Sequence, residues 1–274
     1  MPSTIIIHTY MEFLCNKEYN DTMQQKERLT YLVNYLLDEN KMLGGMTIPE
    51  DEKMQKELLK TLIALREPSG VPLDFSLIQS EFLKEEINAI GIEKPETKGL
   101  FTLTEKPLYA LDVDAIVNFA DNSLMGSFMP ESQSLDDDIH FYAGTELRLA
   151  AADITQRERG LLKCGDIRIT GGFAIPAKSI IHAIGPDIRR EATDEDKKKL
   201  ESLVYGIIES AEELEAKTIA IAPYTRRYRK FPISDAIRIM VDAIKSYPLG
   251  SDVRIIISLA GPGEIEIAKS IIEA

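Results

Sequence analysis

Near Gly99 the apolar pattern switches from a helical repeat to short β-branched runs, which requires a helical segment followed by a sheet covered by helices. From about residue 22 to residue 91 the repeat is that of amphipathic helices. Leu29, Leu32, Val33, Leu36 and Leu37 fall one and two turns apart and so share one face. Thr22 and Gln25 have capping-box spacing, and Gly44-Gly45 breaks the first helix. Pro49 then opens a second helix, expected to bury Met54, Leu58, Leu62 and Ile63 and to end at Pro68, Gly70 and Pro72. A third is expected around Leu77 to Ile90, with Phe82 and Leu83 inward and a stop at Gly91.

After Gly99 the runs Val113 to Val117, Ile167 to Thr170, Ser179 to Ile184, Thr218 to Ala222 and Val253 to Ser258 alternate with helical stretches. Strands separated by helices pair mainly in parallel, and consecutive apolar residues such as Ile180-Ile181 and Ile255-Ile256-Ile257 suit a sheet buried on both faces. A ligand of such a sheet sits beyond the carboxyl ends of the strands. The loops after Val117, Ile184 and Ala222 are therefore the ones to inspect.

Composition narrows the partners. The 274 residues carry 45 Asp and Glu against 32 Lys and Arg, a formal charge of −13, so the average surface repels a phosphate backbone and nucleic acid is not expected. Cys15 and Cys164 are too far apart in sequence to read as a disulfide framework or a cysteine zinc site, which points to a reducing cytoplasm. Ile5-Ile6-Ile7, interrupted by His8, is too short for a signal peptide or a membrane span.

Several motifs occur in a telling order: Val113-Asp114-Ala115-Ile116-Val117-Asn118 followed by Gly126, then Ile139-His140 and Ala143-Gly144, then Gly165 to Thr170, Ile175 to Lys178, and Ile181-His182-Ala183-Ile184-Gly185-Pro186. This series resembles the macrodomain family. Its spacing and the helical segment in front are most similar to the bacterial zinc-containing protein-ADP-ribosylhydrolase macrodomains. The resemblance implies a three-layer α/β fold, a mixed and mostly parallel sheet flanked by helices, with residues 1–98 as an N-terminal helical extension and 99–274 as the macrodomain. It also implies a cleft for ADP-ribose.

Position by position, several expected groups are replaced. Pro107 stands where the family has the Asp that reads the adenine amino group. In Asn118-Phe119-Ala120-Asp121 the ribose-orienting second Asn has become Asp121, which accepts but does not donate. After Gly126, where zinc-type members carry Cys and His ligands, Ser127 to Ser134 offers neither, so no stoichiometric zinc is expected. The phosphate loop reads Thr225-Arg226-Arg227-Tyr228-Arg229-Lys230-Phe231-Pro232, with Arg227 at the family glycine. Asp136 matches the acidic residue near the distal ribose that helps activate water in hydrolytic relatives.

Each of these residues also has a plain reading. Asp136, Asp137 and Asp138 begin a helix, where carboxylates are favoured without any chemistry. His140 and His182 sit in apolar surroundings as core histidines do, and Cys164 reads as an inert small residue. The basic loop is either a solvated surface or part of the cleft.

Three functions are compatible with the sequence. One is a binding module for a phosphate-bearing nucleotide or ADP-ribose-like ligand, held by Asn118, Asp121, Gly126, Thr225, Arg226, Arg227, Arg229 and Phe231 with no cofactor, and with little or no catalysis. Another is a zinc-independent hydrolase using Asp136. The third is a pseudoenzyme that acts through a protein partner. At least one of Arg226, Arg227 and Arg229 is expected to pair with Asp121, Asp136, Asp137 or Asp138 across the groove.

Overall fold

The computed structural model describes residues 23–40, 43, 45–132, 134–188, 191–224, 231–247 and 251–274. Among them, three helices precede the sheet: α1 (Gln25–Glu39), α2 (Glu52–Leu65) and α3 (Leu73–Ile90). Their apolar faces meet one another through Leu29, Leu32 and Leu36 of α1, Leu59 and Ile63 of α2, and Phe75, Phe82 and Leu83 of α3. Ala174 and Phe141, from beyond the extension, join the same cluster.

Three helix boundaries differ from the sequence expectation. The first helix is capped at Gln24, whose N–H donates to Glu27 Oε2 at 2.8 Å; Thr22 lies outside the described residues. The second begins at Glu52, where Asp51 accepts from the Met54 N–H, and not at Pro49. Met54 is 59% exposed, a correction to its expected burial, because it points away from the face carrying Leu59 and Ile63. Helix α3 starts at Leu73, since Pro72 serves as its first cap as well as ending the preceding connection.

The macrodomain part contains β1 (Phe101–Thr104), a 3-10 turn (Leu108–Ala110), β2 (Ala115–Ala120), α4 (Leu135–Ala143), α5 (Thr145–Arg157), β3 (Ile167–Gly171), β4 (Ser179–Ile184), α6 (Asp194–Glu213), β5 (Thr218–Ile221), α7 (Ile233–Lys245), β6 (Arg254–Ser258) and α8 (Pro262–Glu273). The described strands run β1-β6-β5-β2-β4-β3, all parallel except for β3 against β4. The alternation of side chains along a strand divides the core in two. Val117, Ile181, Ile221 and Ile257 face α6, α7 and α8, while Ile116, Ile180, Ala220 and Ile256 face α4 and α5. This is the three-layer arrangement, and it sets the carboxyl ends of β2, β4 and β5 side by side.

Candidate functional site

The central strand β2 presents Asn118 in register with His182 of β4, and both are buried. The Asn118 amide donates to Asp136 Oδ1 at 2.7 Å, and its Nδ2 also lies 3.3 Å from His182 Nδ1. On the far side of the imidazole, His182 Nε2 is 2.9 Å from Thr170 Oγ1, and that hydroxyl donates to Gly171 O. Its proton thus committed, Thr170 accepts from His182 Nε2–H, which leaves Nδ1 to accept the second Asn118 proton. A four-residue chain, Thr170–His182–Asn118–Asp136, links the edge strand β3 to the start of α4. Burial drives the His182 pKa down to about 4, so this chain works with a neutral imidazole.

The three acids at the start of α4 diverge. Asp136 points toward Asn118 and retains 13% exposure, with His140 Nε2 at 3.7 Å. Asp137 is enclosed by the loop before it: it accepts from Ser127 N–H at 2.8 Å, from Ser127 Oγ at 3.0 Å and from Ser134 Oγ. Burial works to raise its pKa, but the bonds from Ser132, Ser134 and Ser127 prevail and hold it below the usual carboxylate value. Asp138 turns outward to Lys60 of α2 at 2.8 Å. Ser134 is the N-cap, accepting from Asp137 N–H, so the helix-start reading of these acids is correct for position while each carboxylate has its own partners.

The loop is closely held over residues 121–132. Asp121 Oδ1 accepts from the Ser123 N–H at 2.8 Å and from Ser123 Oγ at 2.6 Å. Leu124 O receives His140 Nε2–H at 2.9 Å, and Met125 O receives Arg148 Nε–H at 2.9 Å. With two successive carbonyls drawn inward, Leu124 and Phe128 adopt φ of 62° and 53°, and Gly126 takes 75°. A Cβ on Gly126 would stand 3.1 Å from His140 Cδ2 and 3.2 Å from Asp137 Oδ1, so backbone freedom and close approach both select glycine. His140 is buried and, donating from Nε2, keeps an unprotonated Nδ1; burial, aided by the Arg148 charge, drives its pKa down to about 3.

At the ends of β4 and β5 an aromatic group closes over the strands. Tyr224 packs so tightly on Gly185 that a Cβ there would lie 2.3 Å from its ring, and its hydroxyl donates to Pro186 O. Phe119 and Phe231 meet the same ring edge-on, with centroids 5.0 and 6.3 Å away. Phe231 is therefore a buried member of this cluster, together with Ile188 and Leu200. Thr225, Arg226, Arg227 and Arg229 lie outside the described residues, and with them the expected pairing across the groove.

Asn118, Asp136, Gly126 and Asp121, chosen from the sequence, thus belong to one β2–loop–α4 unit. Arg148 was missed: in Leu147-Arg148-Leu149 it has the look of a solvent-facing helix charge, yet it is 6% exposed. Tyr224 and the role of Thr170 were missed too, since neither carries a spacing signal.

Among the described residues, those around Gly126 do not make a zinc ligand set. The loop serines are engaged by Asp137, His140 Nε2 is committed to a carbonyl, and among the described residues no three His, Cys, Asp or Glu side chains converge as a metal would need. No described helix is long and apolar enough to cross a membrane.

The Macro domain family profile matches residues 117–240. A Treponema medium protein named protein-ADP-ribose hydrolase is 34% identical over 233 residues, covering 82% of this chain and 89% of that one. In fold the chain is similar to a mutant Oceanobacillus iheyensis macrodomain solved with ADPR, with TM-score 0.58 and 22% identity over 65% of this chain and 96% of that one. It is also similar to the Trypanosoma brucei macrodomain in complex with ADP-ribose, with TM-score 0.56 and 18% identity over 77% and 94% of the two chains. With its sheet order, its β2–loop–α4 unit and a relative matched along most of both chains, this protein belongs to the macrodomain family.

Proposed function

We propose that this chain is a binding module for ADP-ribose or a closely similar diphosphate nucleotide, with little or no hydrolase activity. The ligand would lie beyond the carboxyl ends of β2, β4 and β5, bordered by Asn118, Asp121, Gly126 and Phe231. In this reading Thr225, Arg226, Arg227 and Arg229, in the loop after β5, take the diphosphate, a guanidinium being suited to bidentate phosphate contact. The observation that carries the low activity is Asp121. Its Oδ1 already accepts two bonds from Ser123, and a carboxylate has no proton with which to orient a ribose hydroxyl by donation. Without that orientation a nearby base contributes little, because catalysis depends on near-attack geometry.

A second reading, a zinc-independent ADP-ribosylhydrolase with Asp136 as general base, draws on the 2.7 Å bond from Asn118, which aims that carboxylate. It draws also on the Treponema medium relative, which is named a protein-ADP-ribose hydrolase. Calorimetric titration with ADP-ribose, followed by release of ADP-ribose from a modified protein, separates the readings. Binding accompanied by negligible release supports the module. Release that disappears in Asp136→Ala supports the hydrolase, and the absence of any binding heat overturns both.

A further inference from the structure

The buried guanidinium of Arg148 stands between two parts of the chain that the sequence treats as separate. On one side its Nη1 lies 2.8, 2.9 and 2.8 Å from the carbonyls of Ile63, Ala64 and Arg66, the last turn and C-cap of α2. Ile63 O also accepts the Arg66 N–H at 3.3 Å, and all three carbonyls carry the negative end of the helix dipole, so a cation is the group they favour. On the other side its Nε donates to Met125 O, and its guanidinium carbon sits 4.3 Å from the centre of the Phe128 ring. Met125 and Phe128 flank Gly126 and Ser127 in the loop that borders the ligand site.

That loop needs such an anchor. Leu124 and Phe128 hold left-handed conformations unfavourable for residues with a Cβ, and such conformations persist only where surrounding contacts over-determine them. His140 fixes Leu124 O, Asp137 fixes Ser127, and both belong to α4. Arg148 is different, because its own position is set by α2. Lys60, one helical turn before Ala64, adds a second tie from α2 to the start of α4 through Asp138.

We propose that Arg148 is the positioning residue of the ligand loop and that the N-terminal helices, through the end of α2, set the loop's geometry for binding. This gives the extension a part in ligand recognition without any contact between its helices and the ligand. It rests on the reading that residues 121–132 border the ADP-ribose site.

The test compares Arg148→Lys, which keeps the charge but cannot span both sides, with Arg28→Lys. Arg28 is also buried and ties α1 to Glu85 of α3, so it supports the extension without belonging to the end of α2. In free full-length protein, Arg148→Lys is expected to speed amide exchange across residues 123–129 by about tenfold or more, the signature of local opening, while Arg28→Lys lowers thermal stability and leaves that exchange unchanged. Phe128→Leu, which removes only the ring, is expected to act in the same direction more weakly. ADP-ribose affinity is expected to fall about tenfold in Arg148→Lys and to hold in Arg28→Lys. Native protein that takes up no ADP-ribose would sink the reading of the site, and the exchange rates would still decide this proposal. Loop exchange in Arg148→Lys equal to the native rate, or raised as much by Arg28→Lys, would overturn it.

Discussion

Asn118 has two amide protons, and its neighbours claim both, one for Asp136 and one for His182. The neutral state of that histidine is thus part of the arrangement, and the same holds for His140, whose Nε2 proton is committed to Leu124 O. Unfolded, each imidazole would titrate near 6.5; folded, they titrate near 4 and 3. Between those limits the unfolded chain binds more protons than the native one, so stability is fully present above about pH 6.5 and falls as the pH drops, levelling off only below the folded values. From pH 7 to pH 5 the two histidines together should remove on the order of 4 kcal/mol. Urea unfolding at the two pH values checks this, and His182→Gln should remove about half of the difference. Equal stability at both would mean that the imidazoles are hydrated. Asn118→Ala should cost about 1–3 kcal/mol by depriving both Asp136 and His182 of their donor.

At the scale of elements, helix α5 shows how closely the extension is used. Its N-cap is Gly144, which has no side chain to satisfy the first N–H groups, and Gln79 of α3 supplies the missing acceptor: Oε1 takes both Thr145 N–H and Thr145 Oγ–H at 2.9 Å. Gln79→Leu preserves the buried volume and removes the cap, so it should destabilise the protein by about 1–2 kcal/mol in chemical denaturation. A change below a few tenths would show that water replaces the cap. The strands with β-branched runs were legible because burial on both sheet faces leaves a nearly continuous apolar code, as in Ile180-Ile181. Strand β1 was not, since Phe101-Thr102-Leu103-Thr104 is short and only its last residue is fully buried. Among the candidate site residues, Asn118 and Gly126 stand in the ordered motifs and Asp136 follows from the resemblance, and the fold brings the three together. Arg148 was not legible, because its partners are main-chain carbonyls about eighty residues away in sequence, which no local pattern encodes.

For the whole molecule, the question is whether residues 1–98 are separable, as the switch in periodicity near Gly99 suggests. We propose that they are not. A fragment of residues 95–274 loses the carbonyls that hold Arg148, the Gln79 cap, the Lys60 partner of Asp138 and the cover over Phe141. It also loses Glu93, which pairs its backbone with Ala110 and Asp112. The guanidinium in that fragment becomes hydrated, so the loss is of packing, capping and loop support, not of a buried ion pair. Together these are worth on the order of 5 kcal/mol, or about 10–20 °C in melting temperature for a domain of this size. A fragment of residues 91–274 keeps Glu93 and its pairing but none of the helix contacts. If the helices carry the effect, both fragments should melt early and aggregate to a similar degree. If the short pairing around Glu93 carries it, only the shorter fragment should suffer. Thermal unfolding of the full chain and both fragments, followed by light scattering, distinguishes the two. A soluble 95–274 fragment as stable as the full chain would refute the proposal and return the extension to the status of an independent module.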